Sequence, residues 1–318
     1  MDASVVIPTF QRCRSVARIL DALTDQTLPP AHFEVIVAID GSDDGTREML
    51  AGRRAPFELR STWHPNRGRA AACNSAIRVA QGELIVILDD DMVPSPRCLE
   101  AHLEAHPQGS RRCVMGAVPI RTTAESGPLE KYMANRFDTH LRRLSQPGHR
   151  FETRDFYSGN ASVRRDVVLS AGLFDESFDE YGNEDLELAV RLRSVGVEIG
   201  FSPEALAEQR YEKSFRQLAA DTISKGRTAV GFAAKHPEIR GDLQLAQFGL
   251  HSWRWRLVLR MLLVSTRVAP GTATALASLT TAFEHRRIRG LDVWYQLLLD
   301  YYYWRGAGEA LRHEGLAG

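Results

Sequence analysis

The chain has 318 residues, enough to bury a proper core in one large domain with an appendage or in two domains. Its 40 basic and 40 acidic residues balance, which excludes the global positive field of a nucleic-acid or polyanion binder. Its four cysteines (Cys13, Cys73, Cys98, Cys113) form no CxxC and no metal-binding spacing, so reduced thiols in a cytoplasmic setting are expected. No secretory leader is expected, because the chain enters its first strand at Ser4, and no uncharged apolar run reaches the roughly 18 residues a spanning helix needs.

Ser4-Val5-Val6-Ile7-Pro8 reads as a short strand, and Val16, Leu20 and Leu23 then recur at helical spacing. Phe33 to Ile39 is a second strand ending at Asp40. The cap-rich Gly41-Ser42-Asp43-Asp44-Gly45 leads into a short helix over Thr46 to Leu50. Phe57 to Thr62 is a weaker third strand, Arg69 to Ala80 an Ala-rich helix, and Leu84-Ile85-Val86-Ile87-Leu88 a fourth strand, apolar throughout and so buried on both faces. Strands alternating with helices predict a doubly wound, mostly parallel sheet, whose ligands bind outside the carboxyl ends of the strands. Thr9, Asp40 and Asp89 all fall at those ends.

The fourth strand runs straight into Asp89-Asp90-Asp91. Asp89 and Asp91, one residue apart in an extended segment, would point to the same side. Such an acidic pair suits a hard divalent cation, Mg²⁺ or Mn²⁺, shared with substrate phosphates; a solvated acidic turn is the bland alternative.

These segments, taken in order, resemble a family-2 inverting glycosyltransferase of the GT-A fold. The likeness runs from Ser4 to about Arg191. It rests on Ser4–Arg12, Asp40–Thr46, Asn66-Arg67-Gly68-Arg69 with Cys73-Asn74, the Asp89-Asp90-Asp91 (DXD) triplet, Gly159-Asn160-Ala161-Ser162 with Gly172–Glu176, and Glu184-Asp185. Each motif is weak alone, and their order makes them specific. The resemblance implies a GT-A-like domain with a nucleotide-sugar half (1–100) and an acceptor half (101–210), followed by a helical extension (211–318). It implies transfer from a nucleotide sugar, expected to be a UDP-sugar, to an unidentified acceptor hydroxyl with inversion.

It also implies roles. Pro8, Thr9, Phe10 and Arg12 would form the nucleotide-contacting turn, and Asp40 would seat the base. Asp89 and Asp90 would lie along the donor, and Asp91, with Asp89, would hold the metal. Gly159 and Asn160 would approach the donor and acceptor sugars. Asp185, beside Glu184, would be the catalytic base. Arg69 suits a phosphate by its guanidinium fork; a solvent-facing arginine at a helix start is the alternative. Glu184 and Asp185 sit where acids also serve simply to complement a helix dipole, worth roughly 0.3–1 kcal/mol. At that place the dipole favours a charged carboxylate and the like charge beside it opposes one.

Three positions depart from the family pattern. Asp40 follows Ile39 rather than a second acid, and Cys73 stands where an arginine is usual. The segment Ala205–Tyr211 lacks the histidine expected after the base pair, with Gln209 its nearest equivalent as a metal ligand. That absence keeps a non-catalytic sugar-nucleotide-binding protein open as an alternative. A sugar nucleotidyltransferase fits less well, because Pro8–Arg12 has no glycine-rich loop.

Beyond Ser214 the chain reads as helical, with Gly226 and Gly231 inside the first segment. Trp253-Arg254-Trp255-Arg256 then opens a run in which Arg256, Arg260 and Arg267 share a face, and Trp294-Tyr295 and Tyr301–Trp304 are aromatic clusters. Three readings stay open: a hairpin packed on the catalytic domain, a homodimer contact, and peripheral contact with an anionic bilayer, there the inner face of the membrane.

Overall fold

A computed structural model describes residues 1–269, 271–286 and 288–313, without the side chains of Arg267 and His313. The chain divides into two compact units. One comprises residues 1–121, 134–179 and 184–211; the other comprises 122–133, 180–183 and the described chain from 212 onward.

The first unit is built on a seven-stranded sheet. β1 (Ala3–Thr9), β2 (Phe33–Asp40), β3 (Glu58–His64) and β4 (Leu84–Leu88) alternate with α1 (Cys13–Leu23), α2 (Thr46–Gly52) and α3 (Arg69–Val79). These strands lie in the order β3-β2-β1-β4, all parallel. A three-residue strand β5 (Met92–Pro94) and α4 (Cys98–Glu104) follow, then β6 (Arg112–Gly116) and α5 (Pro128–Leu144), of which the part from Ala134 belongs to this unit. The sheet continues through β7 (Asn160–Arg164) to β6 and finally β8 (Glu198–Ser202), with α6 (Arg165–Ser170) and α7 (Glu184–Ser194) between β7 and β8 in the chain. β7 runs antiparallel to both β4 and β6, so the segment read as a Gly-Asn approach to the sugars is the start of a central strand.

The strand alternation separates two cores. Val6, Ile36, Ile85 and Ile87 pack on one face with Ala70, Cys73, Ala76 and Ile77 of α3. Val5, Ile7, Val35, Val37, Val86 and Leu88 pack on the other with Val16, Ile19 and Leu20 of α1. Burial on both faces explains the unbroken apolar runs of β1, β2 and β4, each such side chain contributing about 1.5–3 kcal/mol. β3 lies at the edge and alternates in exposure, hence its weaker signal.

One pairing was invisible in the sequence. β9 (Ala207–Gln209) pairs antiparallel with β5, placing Gln209 opposite Met92 in a separate two-stranded sheet. This brings the segment expected to carry the missing histidine back beside the acid triplet.

The second unit is helical: α8 (Phe215–Lys235), α9 (Trp253–Val268), α10 (Thr272–His285) and α11 (Leu291–His313). Ser214 starts α8 with a reciprocal capping box to Gln217, Oγ accepting from the Gln217 N–H. Tyr295, Tyr301 and Tyr302 are fully buried with Phe215, so these aromatics are core of this unit and not a surface feature. Asn183, at a left-handed φ of 67°, donates through Nδ2 to the Lys225 carbonyl and to Thr228 Oγ1 of α8, which fixes the Tyr181-Gly182-Asn183 turn.

Candidate active site

The carboxyl ends of β1, β2 and β4 converge, as the parallel topology requires. At the end of β1, buried Thr9 donates through Oγ1 to Asp90 Oδ2 at 2.7 Å. Arg12 places Nη1 3.5 Å from both Asp90 Oδ1 and Asp91 Oδ2. Between them Gln11 adopts φ 56° and donates its backbone N–H to Ser42 Oγ, while Cys13 N–H donates to Asp44 Oδ2. The β1–α1 turn is thus tied to the acidic turn after β2. Pro8 is buried within β1, and Phe10 stands 48% exposed at its end, a flat apolar surface beside the acids.

Asp40, expected to seat the base, also accepts two backbone N–H groups. Its Oδ1 accepts the Arg67 N–H at 2.7 Å and its Oδ2 the Gly68 N–H at 3.0 Å, with His64 Nδ1 at 3.3 Å. The carboxylate therefore shapes the turn that launches α3. Gly68 has φ 88°, and a Cβ there would lie 2.7 Å from the Asp179 carbonyl oxygen. Gly68→Ala is expected to lower thermal stability by about 1–3 kcal/mol from the backbone conformation alone, with the collision adding to it; a melting curve checks this.

The acid triplet is a turn, not an extended segment. The Met92 N–H donates to the Asp89 carbonyl at 3.0 Å, closing a four-residue turn between β4 and β5. Alternation along a strand therefore does not govern these side chains, and each faces different partners. Asp89 accepts from Arg69 Nε and Nη2 on Oδ1, at 3.1 and 2.8 Å. Asp90 turns inward to Thr9; burial pushes its carboxyl up to about 7 against the opposing pull of Arg12 and Thr9. Asp91 lies beside Gln209, whose Nε2 is 3.3 Å from Oδ2, and the Arg210 N–H donates to the Asp91 carbonyl.

Arg69, at the first position of α3, is not solvent-facing: its guanidinium is held among carboxylates. Besides Asp89 it donates through Nη1 to Ser158 Oγ at 3.0 Å, and the same nitrogen lies 3.5 Å from Glu184 Oε1. Its guanidinium sits over the Phe174 ring, 5.8 Å from the centroid. Burial opposes its charge, but Asp89 and Glu184 hold the guanidinium protonated. One arginine thus links the acid triplet to the first turn of α7.

Glu184 is 5% exposed, and burial followed by the neighbouring Asp185 raises its carboxyl to about 7, with Arg69 pulling it down. Asp185 is only half-buried and accepts the Leu186 N–H on Oδ1 at 2.8 Å. Gly159 belongs to the same cluster: a Cβ on it would meet Asp89 Oδ2 at 2.5 Å, and its carbonyl accepts the Asp89 N–H. Asn160 does not offer its amide to the site. It has no exposed surface, and it donates to the Ala117 and Ala205 carbonyls and pairs with His102, pinning β7 in the sheet.

Sequence reasoning missed Ser158 and Phe174, which hold Arg69; Ser158 directly precedes the Gly159-Asn160 motif, the one hint available. It also gave Asn74 no role, yet Asn74 is buried and bonds both backbone groups of Phe174 and Glu176 Oε1, fixing α3 to the 174–176 segment.

A family model described as Glycosyl transferase family 2 matches residues 4–170. The chain belongs to this family. Among curated proteins, the uncharacterized glycosyltransferase YfnE of Bacillus subtilis is 29% identical over 242 residues, covering 62% of each chain. A validoxylamine A glucosyltransferase of Streptomyces hygroscopicus subsp. limoneus is 28% identical over 272 residues, covering 76% of this chain and 58% of its own. The chain thus spans under two thirds of the length of these relatives. Among solved structures, the mannosyltransferase PcManGT from Pyrobaculum calidifontis, in complex with GDP-Man and Mn²⁺, shares the fold with a TM-score of 0.65 at 20% identity, covering 98% of this chain and 87% of that one. S. aureus TarS 1-349 does so with a TM-score of 0.57 at 17% identity, covering 99% and 92%; the same protein is also solved with UDP and with UDP-GlcNAc. The family-2 chain therefore carries the mostly parallel sheet of these GT-A structures.

Proposed function

We propose that this family-2 chain transfers a sugar from a nucleoside diphosphate sugar to an acceptor hydroxyl, with inversion at the anomeric carbon. The observation that carries the reading is the bridge Asp89–Arg69–Glu184, which joins the donor-side acid triplet to the candidate base pair at one strand-end site. Phe10 offers a stacking surface for a nucleobase at the β1 turn, and Arg12 a cation for the diphosphate. Asp185, more exposed than Glu184, takes the proton from the acceptor hydroxyl as it attacks. Glu184 stays against Arg69 and keeps that guanidinium in place. Backside attack with a single base leaves the anomeric configuration inverted.

The donor set near Asp91 fits a hard divalent cation. Gln209 Oε1 is buried with no hydrogen-bond partner, so an amide oxygen stands ready beside a carboxylate. Among the described residues no three His, Cys, Asp or Glu side chains cluster closely enough to hold an ion alone. Mg²⁺ or Mn²⁺ needs only one or two protein oxygens, completing its shell from phosphates and water. Asp91 and Gln209 would hold it, with Asp89 committed to Arg69. Bound there, the ion would neutralise the charge that develops on the leaving diphosphate. The Mn²⁺ in the PcManGT complex supports this assignment, and the GDP-Man complex of PcManGT together with the UDP and UDP-GlcNAc complexes of TarS supports a nucleoside diphosphate sugar as donor.

Thermal shift with UDP, UDP-sugars and GDP-sugars, in Mn²⁺ and in EDTA, tests the donor side, since a ligand stabilises the folded state by mass action. UDP is expected to stabilise the parent chain more in Mn²⁺, and Asp91→Ala to abolish that difference while the ligand-free melting point holds. Equal UDP stabilisation of the parent in EDTA and Mn²⁺ would sink the metal assignment. Binding without transfer or hydrolysis of any donor would instead favour a non-catalytic sugar-nucleotide-binding protein.

A further inference from the structure

α9 and the turn before it turn a row of apolar side chains outward. Leu250, Trp253, Leu257, Met261, Val264 and Val268 are all exposed, Trp253 by 63% and Val268 by 81%. They recur at spacings of three and four, one stripe along the helix, while Leu259 on the opposite side is fully buried. Exposed leucines scattered singly need no explanation, but a continuous stripe on one helix does.

The charge around the stripe is one-sided. From Leu243 to Phe283 the chain contains arginines and not one aspartate or glutamate, although acids number 40 in the whole sequence. On a wheel of about 100° per residue, Arg260 and Arg256 fall to one side of the stripe and Arg254 to the other. The arginines therefore rim the apolar row and do not form a separate polar face; the Arg267 side chain lies outside the described residues. Arg254 lies over the Trp253 ring at 5.4 Å and Arg260 over Phe248 at 5.9 Å. None of Arg254, Arg256 and Arg260 forms an ion pair with a described residue.

We infer that α9 is a membrane-surface helix, seating Trp253, Leu257, Met261 and Val264 among the acyl chains of a bilayer whose anionic headgroups pair with Arg254, Arg256 and Arg260. An apolar stripe rimmed by unpaired arginines, with a tryptophan at its end, is complementary to that interface and to nothing uncharged. No helix among the described residues is long and apolar enough to cross a bilayer, so the helix lies on the surface. The assignment is independent of the sugar-transfer chemistry.

The test is co-sedimentation of the full chain with vesicles of phosphatidylcholine alone and of phosphatidylcholine with phosphatidylglycerol. Partitioning onto the anionic vesicles is expected to exceed that onto neutral ones by at least about tenfold at low salt and to collapse at high salt. Leu257→Glu with Met261→Glu, both at exposed positions, should keep the parent melting point and lose at least about tenfold of the binding. Arg254→Gln with Arg260→Gln should lessen the preference for anionic vesicles, leaving only what Arg256 supplies. Retention in the supernatant with anionic vesicles at low salt overturns the proposal, as does undiminished binding by the Leu257/Met261 variant. A dimer that the same variant dissociates, with no vesicle binding, assigns the stripe to a second copy and also overturns it.

Discussion

Asp185→Asn is expected to leave donor affinity near the parent value and to slow transfer by about 10²–10⁴-fold, the usual cost of losing a general base. The amide matches the carboxylate in size and can still accept the Leu186 N–H that caps the start of α7, so the helix should hold. What it cannot do is take a proton. Glu184 is the control, because it differs from Asp185 in environment and not in chemistry. It is almost fully buried, its carboxyl raised to about 7 by burial and by Asp185, and it faces Arg69. Glu184→Gln should therefore weaken donor affinity by loosening the hold on Arg69, with a smaller direct loss in rate. Steady-state kinetics and donor titration on both variants separate the roles. If Asp185→Asn transfers at the parent rate while Glu184→Gln does not, the two assignments exchange places.

Much of the first hundred residues was legible because the strands there are buried on both faces. Leu84 to Leu88 and Phe33 to Ile39 are unbroken aliphatic runs, and a parallel strand covered by helices has no reason to alternate. β7 was harder. Asn160 begins it, and a Gly-Asn pair reads as a turn unless its distant partners are known: the Ala117 and Ala205 carbonyls and His102. The β5–β9 pairing joins Met92 to Gln209 across more than a hundred residues, and three-residue strands carry no periodicity of their own. The same distance effect governs the site. The positions Thr9, Asp40, Arg69, Asp89, Asp91 and Asp185 could be picked out, but not what each would touch. Asp40 binds two backbone N–H groups and Arg69 binds carboxylates, partners that depend on how loops close in three dimensions. Gln209 could be named as the counterpart of the absent histidine only from its place in Ala205–Tyr211, and the strand pairing supplies the physical reason it lies near Asp91.

Arg69→Ala is expected to cost about 3 kcal/mol of stability, the lower end of the 3–5 kcal/mol range for breaking a buried ion pair, because Asp89 remains partly exposed. The loss comes less from the missing hydrogen bonds than from what stays behind: the nearly buried Glu184 would face the charge of Asp89 with no cation between them. That cause predicts a dependence on pH. Glu184 already has its carboxyl raised from its ordinary value to about 7, so folding favours its protonated form. Its contribution to stability is therefore fully present below about 4.5 and falls as pH rises through 7. Arg69 is the cation that offsets this by favouring the ionised form. Without it the carboxyl moves further up, and the folded variant must either bind a proton or bury an uncompensated charge. The penalty of Arg69→Ala should thus be smaller at pH 5, where the proton is freely taken, and larger at pH 8. Arg69→Lys should recover part of the pH 8 loss, since an ammonium supplies the charge but cannot reach Asp89, Ser158 and Glu184 at once as the guanidinium does. Thermal melts of the three proteins across this pH range measure it directly. A penalty that does not change between pH 5 and pH 8, or a lysine variant no better than alanine, would mean that Arg69 serves packing against Phe174 and not the charges it bridges.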